Sequence, residues 1–164
     1  MKRMCLVGTK RLVKSKIAID LLFATPALEE KWGSLVPKRV LKKWVSHAIQ
    51  QDANFVIRLV GNAESKKLNL TFRGQDHATN ILTFTMHDPL LDKHVSADLV
   101  MCAPVIIQEA KAQGKELLDH FAHLLIHGVL HAQGFDHEDE VDAQAMESLE
   151  IAILKGLKIR NPYE

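Results

Sequence analysis

Short runs of apolar residues, several of them alternating with polar ones, occur before residue 104 and are typical of β-strands. Five segments carry this pattern: residues 16–25, 53–61, 68–74, 79–86 and 96–103. Segment 53–61 is rich in β-branched and apolar residues, which predicts a buried strand. Together the segments predict a small mixed β-sheet, although the pattern does not fix the order of its strands.

Apolar residues at helical spacing predict a helix over 37–51 and a mainly helical chain from Pro104 onward. Gly114 divides this later region into two helices, and Gly134 suits the end of the second. A last helix follows, for which Asp136 is the expected N-cap. The sum of these elements is an α+β fold, in which helices pack on the small sheet.

Three histidines lie close together where the second of these helices ends, in the stretch "LLIHGVLHAQGFDHEDE". Residues four apart stand on the same face of an α-helix, so His127 and His131 can present two imidazole nitrogens to one ion. Gly134 lets the chain leave the helix, and His137 can then return as a third ligand. Three imidazoles with an open fourth position are typical of a catalytic zinc site.

Other histidines complicate the choice of ligands, because His120 and His123 extend the same helical stripe. A histidine on a helix also often serves only to cap, pack or solvate it. The set His127, His131 and His137 has the turn needed to close around an ion, and we therefore prefer it. In that case His123 packs behind the site and His120 is expected to be exposed.

The spacing of the three histidines also matches the metzincin proteases. Those proteases carry a glutamate as general base directly after the first histidine, and Gly128 occupies that position in this chain. A glycine moves no proton, so peptide hydrolysis by that route is disfavoured. A metal-bound water remains a nucleophile without it. RNA brings its own nucleophile, the 2′-hydroxyl, and a phosphodiester substrate would need less from the protein.

Composition fits a soluble globular protein: the 164 residues are 47% hydrophobic and 25% charged, which predicts a single domain over 1–164. Two cysteines, Cys5 and Cys102, make no disulfide framework. No apolar run has the length of a signal peptide core or a membrane span. We therefore expect a cytoplasmic protein with no membrane partner.

Charge is unevenly distributed, although the net charge is only +1. Residues 1–16 are basic without any acid, residues 38–43 add a second basic cluster, and acids concentrate in 138–150. A dipolar surface of this kind can steer a polyanion to one face. A merely solvated surface explains the same pattern.

The stretch "HGVLHAQGFDH" over 127–137 resembles the H-G-x-L-H-x-x-G-[YF]-D-H signature of the YbeY family, bacterial metal-dependent endoribonucleases that act in ribosomal RNA maturation. The stretch "LNLTFRGQDHATNILTF" over 68–84 is similar to a second family motif, in which Ala78 replaces a proline. "ADLVMC" and "DHEDEVDAQAMESLE" resemble two further motifs, over 97–102 and 136–150.

The resemblance implies that His127, His131 and His137 are the metal ligands and that Arg73 matches the family's invariant arginine at the site. A guanidinium can bind two phosphate oxygens at once, which suits a catalytic role on a phosphodiester. The cofactor expected is one Zn²⁺, although other divalent transition metals suit three imidazoles equally well.

The function implied is that of a single-strand-specific, metal-dependent endoribonuclease in ribosomal RNA processing and ribosome maturation. The expected partners are single-stranded regions of ribosomal RNA and the small ribosomal subunit, and no DNA. Two alternatives remain at this point. One is a metzincin-like metalloprotease, and the other is a non-catalytic ribosome-assembly factor with a structural metal.

Overall fold

A computed structural model describes residues 14–86, 93–135 and 138–164. In these ranges the strands are Ile17–Phe23 (β1), Asp52–Val60 (β2), Ile81–Met86 (β3) and His94–Cys102 (β4). The helices are Pro26–Trp32 (α1), Lys38–Ala48 (α2), Asn62–Arg73 (α3), Ala103–Ala112 (α4), Leu117–Ala132 (α5) and Glu140–Gly156 (α6). The predicted α+β fold is confirmed.

The four strands form one mixed sheet in the order β1-β2-β4-β3. β1, β2 and β4 run parallel, so helices are needed to carry the chain from one of these strands towards the next. β3 is antiparallel to β4 and forms one edge of the sheet. In the central strand β2, Phe55, Ile57 and Leu59 alternate with polar or partly exposed residues and are buried on the face that carries the main core.

Helix α5 lies in the middle of this core, where it contacts β3, β4, α2, α4 and α6. Its apolar residues Leu125, Ile126 and Val129 are fully buried. Phe121 of the same helix packs against Trp32 and Trp44, with ring centroids 5.4 and 6.2 Å apart. The helix that carries the paired histidines is therefore enclosed on most sides.

Helix α3 covers the other face of the sheet, and it corrects the prediction of a strand over 68–74. Leu70 and Phe72 give the segment its strand-like alternation, but they are 48% and 64% exposed. The inward positions are polar: Ser65 and Asn69 are buried and bind the backbone of the loop that follows. The prediction was wrong because the buried side of this helix carries little apolar surface.

Helix α5 ends shortly before a glycine, as its sequence predicts. α5 ends at Ala132, and Gly134 has a φ of 90°, a backbone conformation that favours glycine. Asp136 lies outside the described residues. The N-cap of α6 is instead Asp139, whose side chain accepts a hydrogen bond from the backbone N–H of Asp142 at 2.8 Å.

None of the helices within the described ranges has both the length and the apolar character that a membrane crossing requires.

Candidate metal centre

The pair of imidazoles predicted from the i,i+4 spacing is present on α5. The Nε2 atoms of His127 and His131 face each other at 2.9 Å, and the ring centroids are 4.5 Å apart. Two nitrogen ligands of a tetrahedral zinc ion stand about 3.3 Å apart, since each Zn–N bond is about 2.0–2.1 Å. These donors therefore fit a zinc ion or a similar transition metal with little adjustment.

His137, the third predicted ligand, lies outside the described residues, as do residues 1–13 of the basic N-terminal segment. Among the residues that are described, no group of three His, Cys, Asp or Glu side chains is placed to hold a metal ion. The role of His137 stays a prediction from the sequence.

Glu150 of α6 lies directly behind the imidazole pair and is fully buried. Its carboxylate contacts Nδ1 of His127 and the hydroxyl of Tyr163, and it accepts a hydrogen bond from Nε2 of His123 at 3.1 Å. Burial alone raises the pKa of the Glu150 carboxyl, but the hydrogen bonds from these three residues outweigh it and lower that pKa to about 2. Burial and the hydrogen bond to Glu150 raise the pKa of Tyr163 above its ordinary value.

Glu150 and Tyr163 are not among the residues that the sequence pattern predicts for the site. A usable signal existed for the glutamate, because it stands on the apolar stripe of α6 beside Met146, Ile153 and Leu154, all of which are buried. A charged residue at such a position needs partners, and the histidines of α5 are the partners it finds. No comparable signal marks Tyr163, which belongs to the chain after the last helix.

Arg73 lies in the last turn of α3, is exposed, and lines the same cavity as the histidines. The cavity has a volume of about 300 Å³ and lies at the β3 edge of the sheet. Its lining joins elements from both faces of the sheet: Arg73, Thr79, Asn80, Thr83, His123, His127, His131 and Tyr163 are among its residues. The structure thus brings the predicted arginine and two of the three predicted ligands to one place.

The loop between Arg73 and β3 is held to α3 by the two buried polar residues of that helix. Ser65 Oγ donates to the carbonyl of Thr79 at 2.9 Å and accepts from its N–H at 3.0 Å. Asn69 Nδ2 donates to the carbonyl of His77 at 2.9 Å. These contacts fix the wall of the cavity that carries Thr79.

His120 is 4% exposed, so the prediction that it lies on the surface was wrong. Its Nε2 contacts Oε2 of Glu109 at 2.8 Å, and the same carboxylate accepts from Nδ2 of Asn80 at 3.1 Å. The buried imidazole thus forms one end of a series of polar contacts from His120 through Glu109 to Asn80, which connects α5, α4 and the start of β3.

Gly128 faces the sheet, where β3 and β4 approach α5. A Cβ atom at this position would lie 2.6 Å from Cδ1 of Ile81, 3.2 Å from Oγ1 of Thr83 and 3.3 Å from Cδ2 of Leu99. Any side chain here, a glutamate included, would require Ile81, which is buried in the core, to shift. The packing therefore supports the inference that the metzincin mechanism is not available to this chain.

The α+β fold brings two helical imidazoles and a guanidinium to one cavity, a set of groups that can act on a phosphodiester. The family model described as "Endoribonuclease YbeY" matches residues 26–158. The chain belongs to the YbeY family of endoribonucleases, as the resemblance of its motifs predicts.

Curated relatives are similar in sequence to this chain over most of their own length. "Endoribonuclease YbeY" of Albidiferax ferrireducens is 51% identical over 138 residues, which cover 84% of this chain and 89% of the relative. The protein of the same name from Verminephrobacter eiseniae is 44% identical over 146 residues, covering 84% and 93%. The solution structure of TM1509 from Thermotoga maritima is 25% identical, with a TM-score of 0.54, and the match covers 85% of this chain and 91% of that one.

Proposed function

We propose that this protein is a metal-dependent endoribonuclease that cleaves single-stranded regions of ribosomal RNA during ribosome maturation. The observation that carries the proposal is the shared cavity, in which the guanidinium of Arg73 and the imidazoles of His127 and His131 line one space. Membership of the endoribonuclease family supports the choice of RNA as substrate.

We assign the metal to His127, His131 and His137, and we expect it to be Zn²⁺. The converging Nε2 atoms of the first two residues support this assignment. When bound, zinc supplies Lewis acidity beside the substrate. The chain's own contribution is to hold the imidazole of His127 at one wall of the cavity through its contact with Glu150.

Arg73 is the catalytic residue of the proposal. Its planar guanidinium can hold two oxygens of the scissile phosphate and offset the negative charge that grows during cleavage. Arg73 lies in the exposed last turn of α3, so its guanidinium is accessible from solvent. A nucleophile is available on the substrate, because the 2′-hydroxyl of RNA lies next to the phosphate it attacks.

What the surface offers to a nucleic acid supports the proposed preference for single strands. Exposed lysines and arginines can follow a phosphate backbone without reading bases. Exposed residues of this kind lie on α2, namely Lys38, Arg39, Lys42 and Lys43, and separately on α3, namely Lys66 and Lys67. A single strand can bring one phosphate into a cavity of about 300 Å³, whereas a rigid duplex presents its phosphates on a broad cylinder.

We also propose that the chain acts as a single domain over 1–164, in the cytoplasm, with the small ribosomal subunit as partner and without DNA. One continuous apolar core supports the single domain, since it includes residues from β1 at one end to α6 at the other. The family match over 26–158 supports it as well.

The test compares substrates and two matched variants. Zinc-loaded protein is incubated with single-stranded RNA, duplex RNA, DNA of the same sequence and casein. We expect cleavage of the single-stranded RNA, loss of that cleavage with a chelator or with His131→Ala, and a fall in kcat of about 10²–10³ with Arg73→Ala. Lys111→Ala removes a cation from the exposed end of α4, outside the cavity, and should leave kcat unchanged.

Proteolysis of casein with RNA left intact would support the protease instead. If Arg73→Ala cleaves RNA as well as Lys111→Ala does, the arginine has no catalytic role. Normal ribosome maturation in cells that carry only Arg73→Ala would favour the assembly factor with a structural metal.

A further inference from the structure

The proposed metal site leaves one question about the chain itself, namely what determines which nitrogen of His127 carries the hydrogen. We infer that Glu150 and Tyr163 are positioning residues, which hold His127 with its hydrogen on Nδ1 and its Nε2 directed at the metal position. The inference rests on the proposed function, since it takes the side of His127 that faces His131 to be the ligand side.

The hydrogen bonds at Glu150 all run in one direction, towards the carboxylate. An ionised carboxylate only accepts, so each polar group that contacts it must donate. Oε1 contacts Nδ1 of His127, while Oε2 contacts Nε2 of His123 and the hydroxyl of Tyr163. A neutral imidazole carries one hydrogen, and with that hydrogen on Nδ1 the Nε2 of His127 has a lone pair to offer.

The lone pair on Nε2 of His127 lies on the side of His131. Nε2 of His127 lies 2.9 Å from Nε2 of His131, on the side of the ring opposite Glu150. The carboxylate, the ring and the second imidazole thus follow one another in a line. Carboxylates commonly orient metal-binding histidines in this way and raise the basicity of the ligand nitrogen.

Tyr163 reaches this network from the C-terminal segment after α6. Its ring packs edge-on against His123, with centroids 5.5 Å apart, and its hydroxyl donates to Oε2 of Glu150. Asn161 Oδ1 accepts from the backbone N–H of Tyr163 at 3.0 Å, which holds the turn that places the ring. Without the hydroxyl, Oε2 would keep only the bond from His123, and the carboxylate would be less firmly oriented towards His127.

A merely structural role for Glu150 would also make its loss destabilising, because it joins α5 to α6 at a buried position. The tautomer of His127 separates the two explanations. It is read from the ¹⁵N shifts of the ring nitrogens in metal-free protein labelled on histidine, and it does not depend on activity or on bound zinc.

The experiment compares the wild type with Glu150→Gln, Tyr163→Phe and Glu147→Gln. Glu147→Gln is the matched control, because it removes the same charge one turn earlier on α6, where the side chain is exposed. We expect the wild type and the control to carry the hydrogen on Nδ1 of His127. Glu150→Gln should lose this single tautomer and bind zinc about 10–100-fold more weakly, and Tyr163→Phe about three- to tenfold more weakly.

On RNA, Tyr163→Phe should lower kcat at subsaturating zinc and leave KM unchanged, since the ring that lines the cavity is retained. Tyr163→Phe also keeps the test decisive if Glu150→Gln does not fold, because the tyrosine is half exposed. An unchanged His127 tautomer with unchanged zinc affinity in the folded variants would overturn the inference, as would an equal effect of Glu147→Gln. If the wild type neither binds zinc nor cleaves RNA, the proposed function fails, while the tautomer measurement still decides the positioning roles.

Discussion

Replacing Gly128 by alanine would place a methyl group in the contact between α5 and the sheet. The new Cβ would lie 2.6 Å from Cδ1 of Ile81, with Thr83 and Leu99 at 3.2 and 3.3 Å. An ordinary carbon contact is about 3.5–4.0 Å, so the helix or the isoleucine must shift by about 1 Å. Because Ile81 is itself buried in the core, the shift spreads to its neighbours.

Two opposing free-energy changes decide the outcome at Gly128. Overpacking a core costs about 1–3 kcal/mol, whereas alanine gains about 1 kcal/mol over glycine inside a helix. We expect a net loss of about 1 kcal/mol in the free energy of unfolding, which corresponds to roughly 2–4 °C in Tm. Thermal unfolding followed by circular dichroism measures it.

Gly156 provides the control, because it is also helical and a Cβ there would meet only Cδ2 of His47, at 3.9 Å. Gly156→Ala should stabilise the protein by roughly 0.5 kcal/mol through a lower entropy of the unfolded chain. The two alanine substitutions should therefore change Tm in opposite directions. Equal stabilisation by both would refute the close approach of α5 to the sheet, and with it the argument that a glutamate cannot occupy position 128.

Three further predictions concern the polar contacts and the metal. Glu109→Ala leaves His120 and Asn80 without their shared carboxylate. We expect the free energy of unfolding, measured with urea, to fall by about 1–3 kcal/mol. No measurable change would show that these contacts are not maintained in solution. Asp139→Ala removes the N-cap of α6 and should cost about 1 kcal/mol by the same measurement, whereas Asp139→Asn should restore most of it. Zinc at a hundredfold excess over its Kd should raise the free energy of unfolding by about 2.7 kcal/mol, measured by calorimetry. A Tm that changes with neither zinc nor chelator would contradict a bound ion.

The strands could be predicted because their sequences satisfy two requirements at once. In β2, Phe55, Ile57 and Leu59 combine strand-forming side chains with the alternation that buries one face. The same reasoning failed for α3, where Leu70 and Phe72 alternate as in a strand but face solvent. An apolar pattern predicts structure only where apolar residues form the buried side, and this helix uses polar side chains there.

The candidate site could be predicted only as far as neighbours along one helix determine it. The spacing of His127 and His131 is enough to place their rings together, whatever the rest of the fold. Glu150 and Tyr163 reach those rings through the packing of α6 and the C-terminal segment, and no local pattern encodes that packing. Arg73 was found through family resemblance, and the physical chemistry of its own segment suggested a strand instead.

The enclosed position of α5 has a consequence for amide hydrogen exchange. Helices surrounded by core exchange their amide hydrogens only when most of the structure opens, whereas ends with few buried contacts exchange through local fraying. The turn of α5 that carries His127 should therefore be among the slowest regions to exchange, and the last turn of α3 with Arg73 among the fastest. The His127 wall of the cavity would stay fixed until global unfolding, while the helix end that carries Arg73 could adjust to a bound strand.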